Sequence, residues 1–95
     1  MPETTFADNT PQSRFELSID GQVAGFAEYK LQDGAVRITH TEVVPAHEGG
    51  GVGSKLAKAA LDQVRERGQK VIPQCEFIAS YIQRHPAYAD LVAQR

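Results

Sequence analysis

Four of the chain's eight glycines fall within the five positions from Gly49 to Gly53, inside the stretch Val43-Val44-Pro45-Ala46-His47-Glu48-Gly49-Gly50-Gly51-Val52-Gly53-Ser54-Lys55. The stretch reads as a strand end that runs through a glycine turn into the start of a helix. Glycine loses more backbone freedom on folding than any other residue, so such a cluster implies an unusual dihedral or a close approach. The first turn of a helix presents amide hydrogens without intrahelical partners, and the helix dipole adds positive potential there. Glycines lacking Cβ then let an anion such as a phosphate come close. The same residues also suit a turn whose glycines only relieve steric strain, and their neighbours must decide between the two.

The surrounding elements follow from periodicity. Phe15, Leu17 and Ile19 alternate with Glu16 and Ser18, as in a half-buried strand, and Asp20-Gly21 turns it. Residues 23–31 read as a second strand, with Gly25 marking a bulge or a close contact, and Gln32-Asp33-Gly34 forms the next hairpin signal. Residues 36–44 form a third strand in which Val36, Ile38, His40 and Glu42 share one face and Arg37, Thr39, Thr41 and Val43 the other. From Gly51 the period becomes helical: Val52, Leu56, Ala60 and Val64 recur every four residues, widened by Ala57 and Leu61, and Arg65, Arg67 and Gly68 fit the helix end. Residues 70–75 read as a strand parallel to the third after a helical crossover, with Pro73 marking an edge or an interruption of pairing. A helix over 76–84 stops at His85-Pro86, and a last short helix covers 87–93. Residues 1–13 are polar and contain two prolines, so they read as a flexible N-terminal tail before a single domain over 14–95.

Composition excludes several function classes. A net charge of -2 with scattered basic residues gives no electrostatic footprint for nucleic acid. One cysteine, Cys75, permits neither an intrachain disulfide nor a multi-cysteine zinc site, and no metal is expected. No apolar run reaches membrane-spanning length, and the first residues lack the features of a secretory signal, so the cytoplasm is the expected compartment.

Two familiar phosphate motifs fail. In a P-loop the lysine precedes the Ser or Thr, whereas Ser54 precedes Lys55; a dinucleotide fingerprint begun at Gly51 meets Leu56 where its third glycine belongs. Val43, Pro45, Gly49, Gly51, Val52 and Gly53 instead resemble motif A of the GNAT superfamily of N-acetyltransferases, a strand ending Val-x-Pro followed by a glycine turn and an amphipathic helix. His40-Thr41-Glu42-Val43, the helix Leu56-Ala57-Lys58-Ala59-Ala60-Leu61-Asp62, and the later Cys75 and Tyr81 look like the small, minimal branch of that superfamily. The likeness covers residues 36–88. It implies an α/β (α+β) fold, a mixed, mainly antiparallel sheet with a parallel central pair and a crossover helix. Glu48 departs from the pattern, standing where the superfamily usually has Arg or Gln; Lys55 offers a compensating charge.

The resemblance implies acetyl-CoA as cofactor and an amine as acceptor, without naming that amine. Its diphosphate would lie at Gly49, Gly50, Gly51, Val52, Gly53, Ser54 and Lys55, and its arm along Val43 and Val44, in the split between the third strand and the next. A backbone amide at Val43 or Val44 would polarise the thioester carbonyl. His40 or Glu42 is the expected general base for the attacking amine, against the plainer role of a half-buried or solvated strand residue. Cys75, between a strand and a helix start, would accept the acetyl group in a two-step route with His40 nearby, or else be a small packed residue. The usual tyrosine acid falls on Gln83 in this register, which leaves Tyr81, two residues away, as the candidate acid beside a packing role. The function so implied is acetyl-CoA-dependent N-acetyl transfer to a primary amine, directly or through acyl-Cys75. The alternative is a CoA-binding or protein-interaction module without turnover.

Overall fold

A computed structural model describes residues 3–48 and 50–93. Five strands form one sheet in sequence order: β1 (Thr4–Asn9), β2 (Arg14–Ile19), β3 (Gln22–Gln32), β4 (Ala35–Val43) and β5 (Lys70–Pro73). The first four pair antiparallel, and β5 lies parallel to β4 after helix α1 (Val52–Glu66). Helix α2 (Glu76–Arg84) follows β5, and short 3-10 turns occupy Thr10–Gln12, Pro45–His47 and Pro86–Leu91. The last of these replaces the expected helix over 87–93: Pro86 fixes the first turn, and Val92 is already extended beside β5, bridging to Val71.

Both helices and one face of the sheet share a single core. Phe15, Leu17, Ala27, Val36, Ile38 and Val71 from the strands meet Leu56, Ala60, Leu61 and Val64 of α1 and Ile78 and Ile82 of α2. Each fully buried Leu, Ile or Phe there contributes roughly 1.5–3 kcal/mol relative to exposure. Helix α1 ends in a Schellman turn, in which Gly68 at φ +70° lets Gln69 N–H reach Val64 O at 3.1 Å and its own N–H reach Arg65 O at 3.0 Å.

Residues 4–9 are a strand and not part of a tail. Phe6 stacks on Phe15 with ring centres 5.7 Å apart, and the Tyr29 hydroxyl donates to Asp8 Oδ1 at 2.6 Å. Arg67, just past α1, forms an ion pair with Asp8 Oδ2 at 2.8 Å. These partners are distant in sequence, so the polar composition of the segment did not reveal them.

The register also corrects the expected strand faces. Glu28 pairs with His40, but its neighbour Tyr29 pairs with Ile38, so Thr39 is an extra residue in β4. Such a bulge reverses the alternation after it. Val36, Ile38, Thr41 and Val43 therefore face the helices, whereas Arg37, His40 and Glu42 lie on the open face. Thr41 sits beside buried Ala27 and Phe15 in one row; His40 sits beside Glu28 and Arg14 in the next.

Candidate active site

The pairing of β4 with β5 covers only Ala35–Ile38 against Lys70–Pro73, and one further bond, Cys75 N–H to Ile38 O at 2.9 Å, closes it. Beyond that point β4 runs on to Val43 while the chain turns through Gln74 and Cys75 into α2, and the two diverge. Val44 N–H is spent on Ala24 O of β3 at 2.8 Å. Because successive backbone groups of a strand point to alternate sides, the amides of Val43 and Thr41 face the gap. Of the two amides considered for the thioester carbonyl, only that of Val43 is directed there.

The glycine turn begins with a 3-10 turn in which His47 N–H bonds Val44 O at 2.8 Å and Glu48 N–H bonds Pro45 O at 3.3 Å. Gly51 is the N-cap of α1 at φ +77°, a left-handed conformation that favours glycine, and no side chain caps the helix. The first-turn amides of Val52, Gly53 and Ser54 thus have no side-chain acceptor within the turn. Gly53 has a different reason to be glycine: a Cβ there would stand 2.8 Å from Cζ of Phe77, so its bareness packs the starts of α1 and α2 together. At Gly50 a Cβ would meet only His47 O, at an ordinary 3.6 Å. The fold imposes no steric need for that glycine. Gly49 lies outside the described residues.

Between Val43, His47, Ser54 and Phe77 the turn leaves a shallow pocket of about 360 Å³. Glu48 stands exposed on its rim, and Lys55 is exposed in the first turn of α1. His47 and Phe77 were not anticipated here; only the meeting of the two helix starts reveals them.

Cys75 and Thr41 come together across the gap, with Cys75 Sγ–H donating to Thr41 Oγ1 at 3.3 Å. Cys75 is half-buried at the N-cap of α2. His40 leaves the opposite face of β4, where its Nε2 lies 3.1 Å from Glu42 Oε1 and its ring 6.3 Å from that of Phe26; both side chains of the pair are 54% exposed. The expectation that His40 neighbours Cys75 is corrected by the Thr39 bulge. Thr41 occupies that place instead, and no feature of its residue type announces it.

Tyr81 is buried in packing, stacked on His85 with ring centres 4.0 Å apart and tilted against Tyr88 at 6.0 Å. The Tyr88 hydroxyl donates to Asp62 Oδ1 of α1 at 2.7 Å, and burial, then the Asp62 carboxylate, push it above the ordinary tyrosine range. These contacts place Tyr88 between Tyr81 of α2 and Asp62 of α1. Gln83 is exposed on α2. Among the described residues no group of three or more His, Cys, Asp or Glu side chains is placed to hold a metal ion, and no helix is long and apolar enough to cross a membrane.

Comparison with known proteins places this geometry among relatives. A family model described as GCN5-related N-acetyl-transferase matches residues 14–91. The chain is 43% identical over 51 residues to Protein NATD1 of Gallus gallus, across 54% of this chain and 46% of that protein. It thus spans about half the length of the curated relatives it matches. The solution structure of a GCN5-like protein from Staphylococcus aureus aligns with a TM-score of 0.69 and 26% identity over 98% of this chain and 89% of that one. A GNAT family acetyltransferase from Brucella melitensis, solved in complex with acetyl-CoA, aligns with a TM-score of 0.55 and 25% identity, covering 75% and 49% of the two chains.

Proposed function

The chain belongs to the GCN5-related N-acetyltransferase family, and we propose that it transfers the acetyl group of acetyl-CoA to a primary amine by direct attack in the gap between β4 and β5. The observation that carries this reading is the directed edge of β4, with the Val43 amide facing the gap, followed through the 3-10 and glycine turns by a helix start that no side chain caps. The residues fit the ligand. The amides of Val52, Gly53 and Ser54 take the diphosphate with the help of the helix dipole, Gly50 leaves room for it, and Lys55 offsets Glu48.

Acetyl-CoA supplies a thioester: the amine forms a C–N bond at its carbonyl carbon, the C–S bond breaks, and the thiolate leaves while the nitrogen gives up a proton. The Val43 amide is directed to stabilise charge developing on the carbonyl oxygen. The exposed His40–Glu42 pair on the open face accepts the amine proton, directly or through water. Cys75 lies on the helix side of β4, away from that pair, which favours direct transfer over a His40-activated acyl-cysteine.

Release of CoA from acetyl-CoA is measured against a panel of amines, alongside calorimetric titration with CoA. Turnover that falls about 10²-fold or more in His40→Ala but persists in Cys75→Ser is the expected result. Loss of turnover in Cys75→Ser with covalent acetylation in the parent protein would favour the two-step route. CoA binding without transfer to any amine would favour the module without turnover, and a folded protein that ignores CoA would refute both.

A further inference from the structure

We propose that the acceptor is a small amine carrying a carboxylate several bonds from its amino nitrogen, and that Arg37 receives this carboxylate in a pocket on the open face of the sheet. The inference rests on the transferase reading above and adds the chemical class of its second substrate.

The pocket, about 670 Å³, lies between the β3–β4 turn, β5 and the chain after α2, lined by Asp33, Arg37, Ile72, Pro73, Gln74 and Val92 among others. Arg37 and Ile72 are parallel partners, and each alternates with a buried valine, so both stand on the face opposite the helices. The guanidinium is held in place: Nε donates to Gln32 Oε1 at 3.0 Å and Nη1 donates to Gln74 Oε1 at 2.9 Å. Those bonds use two of its five N–H groups, and three remain for a guest. A guanidinium already fixed in position loses little freedom when it takes up a carboxylate.

Among the described residues the charge of Arg37 has no ion-pair partner, although Asp33 borders the pocket. Lys30 is its direct cross-strand partner on β3. Like charges directly opposed across a pair of strands are destabilising, and an anion between them reverses the sign of that interaction.

The position ties the pocket to the reaction site. Gln74 immediately precedes Cys75 at the gap, and Arg37 shares the open face of β4 with His40, three residues on, one of them the bulge. At about 3.3 Å per residue, the separation along the strand is roughly 7–10 Å. An amine beside His40 and a carboxylate at Arg37 are therefore the two ends of an ω-amino carboxylate; the two groups of an α-amino acid stand too close to reach both places.

The test compares 6-aminohexanoate with hexylamine as acceptors, by the ratio of their kcat/KM values, and measures binding of hexanoate and 6-aminohexanoate by calorimetry in the presence of CoA. The expected ratio favours the carboxylate by about tenfold, since a charged hydrogen bond at a partly exposed site is involved. It falls to near one in Arg37→Gln, and part way in the exposed variant Lys30→Gln, which keeps the test independent of any folding defect in the first. A ratio near one in the parent protein, or a preference that survives Arg37→Gln, overturns the proposal. If neither amine is acetylated, Arg37-dependent binding of 6-aminohexanoate upholds the pocket and counts against the transferase reading, whereas absence of binding overturns the pocket itself.

Discussion

Replacing the glycines of the turn one at a time separates steric from ligand-driven requirements. In Gly53→Ala the new methyl would lie 2.8 Å from Phe77 Cζ, so the ring must retreat by about 0.6 Å to reach the 3.4 Å at which ordinary contact begins. Overpacking of this kind costs about 1–3 kcal/mol, offset by about 1 kcal/mol of helix propensity gained in the first turn of α1. The expected net loss is about 0–2 kcal/mol, and it shrinks when Phe77 is shortened to Leu, giving a coupling of about 1 kcal/mol in the double-mutant cycle. In Gly50→Ala the methyl has room, so stability holds or rises by about 0.4–1 kcal/mol through the unfolded chain. Its effect appears in the ligand: the Kd for CoA rises about tenfold as the methyl obstructs the approach to the first-turn amides. Urea denaturation gives the stabilities, and calorimetric titration with CoA gives the affinities. A Gly50→Ala protein with unchanged CoA affinity would refute the ligand argument, and absent coupling between positions 53 and 77 would refute the packing argument.

Two further predictions concern the scaffold. Burial, then the hydrogen bond to Asp8, push the Tyr29 hydroxyl up to about 12. The folded state therefore holds this proton more tightly than the unfolded chain, the stabilisation is complete below pH 10, and about 2–3 kcal/mol is lost as pH rises from 10 through 12. Denaturant midpoints against pH should show this alkaline loss in the parent and a flatter profile in Tyr29→Phe; identical slopes would refute it. Gly25→Ala would bring a Cβ to 3.2 Å from both the Glu42 carbonyl and Val52 Cγ1, so it should destabilise by about 1–3 kcal/mol and lower CoA affinity with it, because Val52 opens α1. A melting temperature unchanged in this variant would show that the two elements yield freely.

Local pattern carried much of this molecule. The stripe of α1, the Asp20-Gly21 and Asp33-Gly34 turns and the crossover to β5 all have short-range signals, and the structure has them. The faces of β4 did not, because its bulge rests on Thr39, a β-branched residue at home in any strand, with no glycine to mark it. The irregularity becomes legible only when β3 is set against β4, where the buried residues Ala27 and Tyr29 face Thr41 and Ile38. One inserted residue thus moved His40 and Glu42 to the open face and brought Thr41 to Cys75. The edge strand β1 escaped notice for a related reason: Asp8 looks solvent-seeking until Tyr29 and Arg67 are placed around it.

The sequential order of the strands has a kinetic consequence. Each antiparallel pair joins chain neighbours through a short turn, so the closure entropy of β1 through β4 is small. The β4–β5 pairing is different, since it brings together residues as far apart in the chain as Ala35 and Lys70 and must wait for α1 to form between them. Local contacts are reached quickly and distant ones slowly. The meander is therefore expected to assemble first, and the gap proposed for the reaction to be completed only when β5 docks.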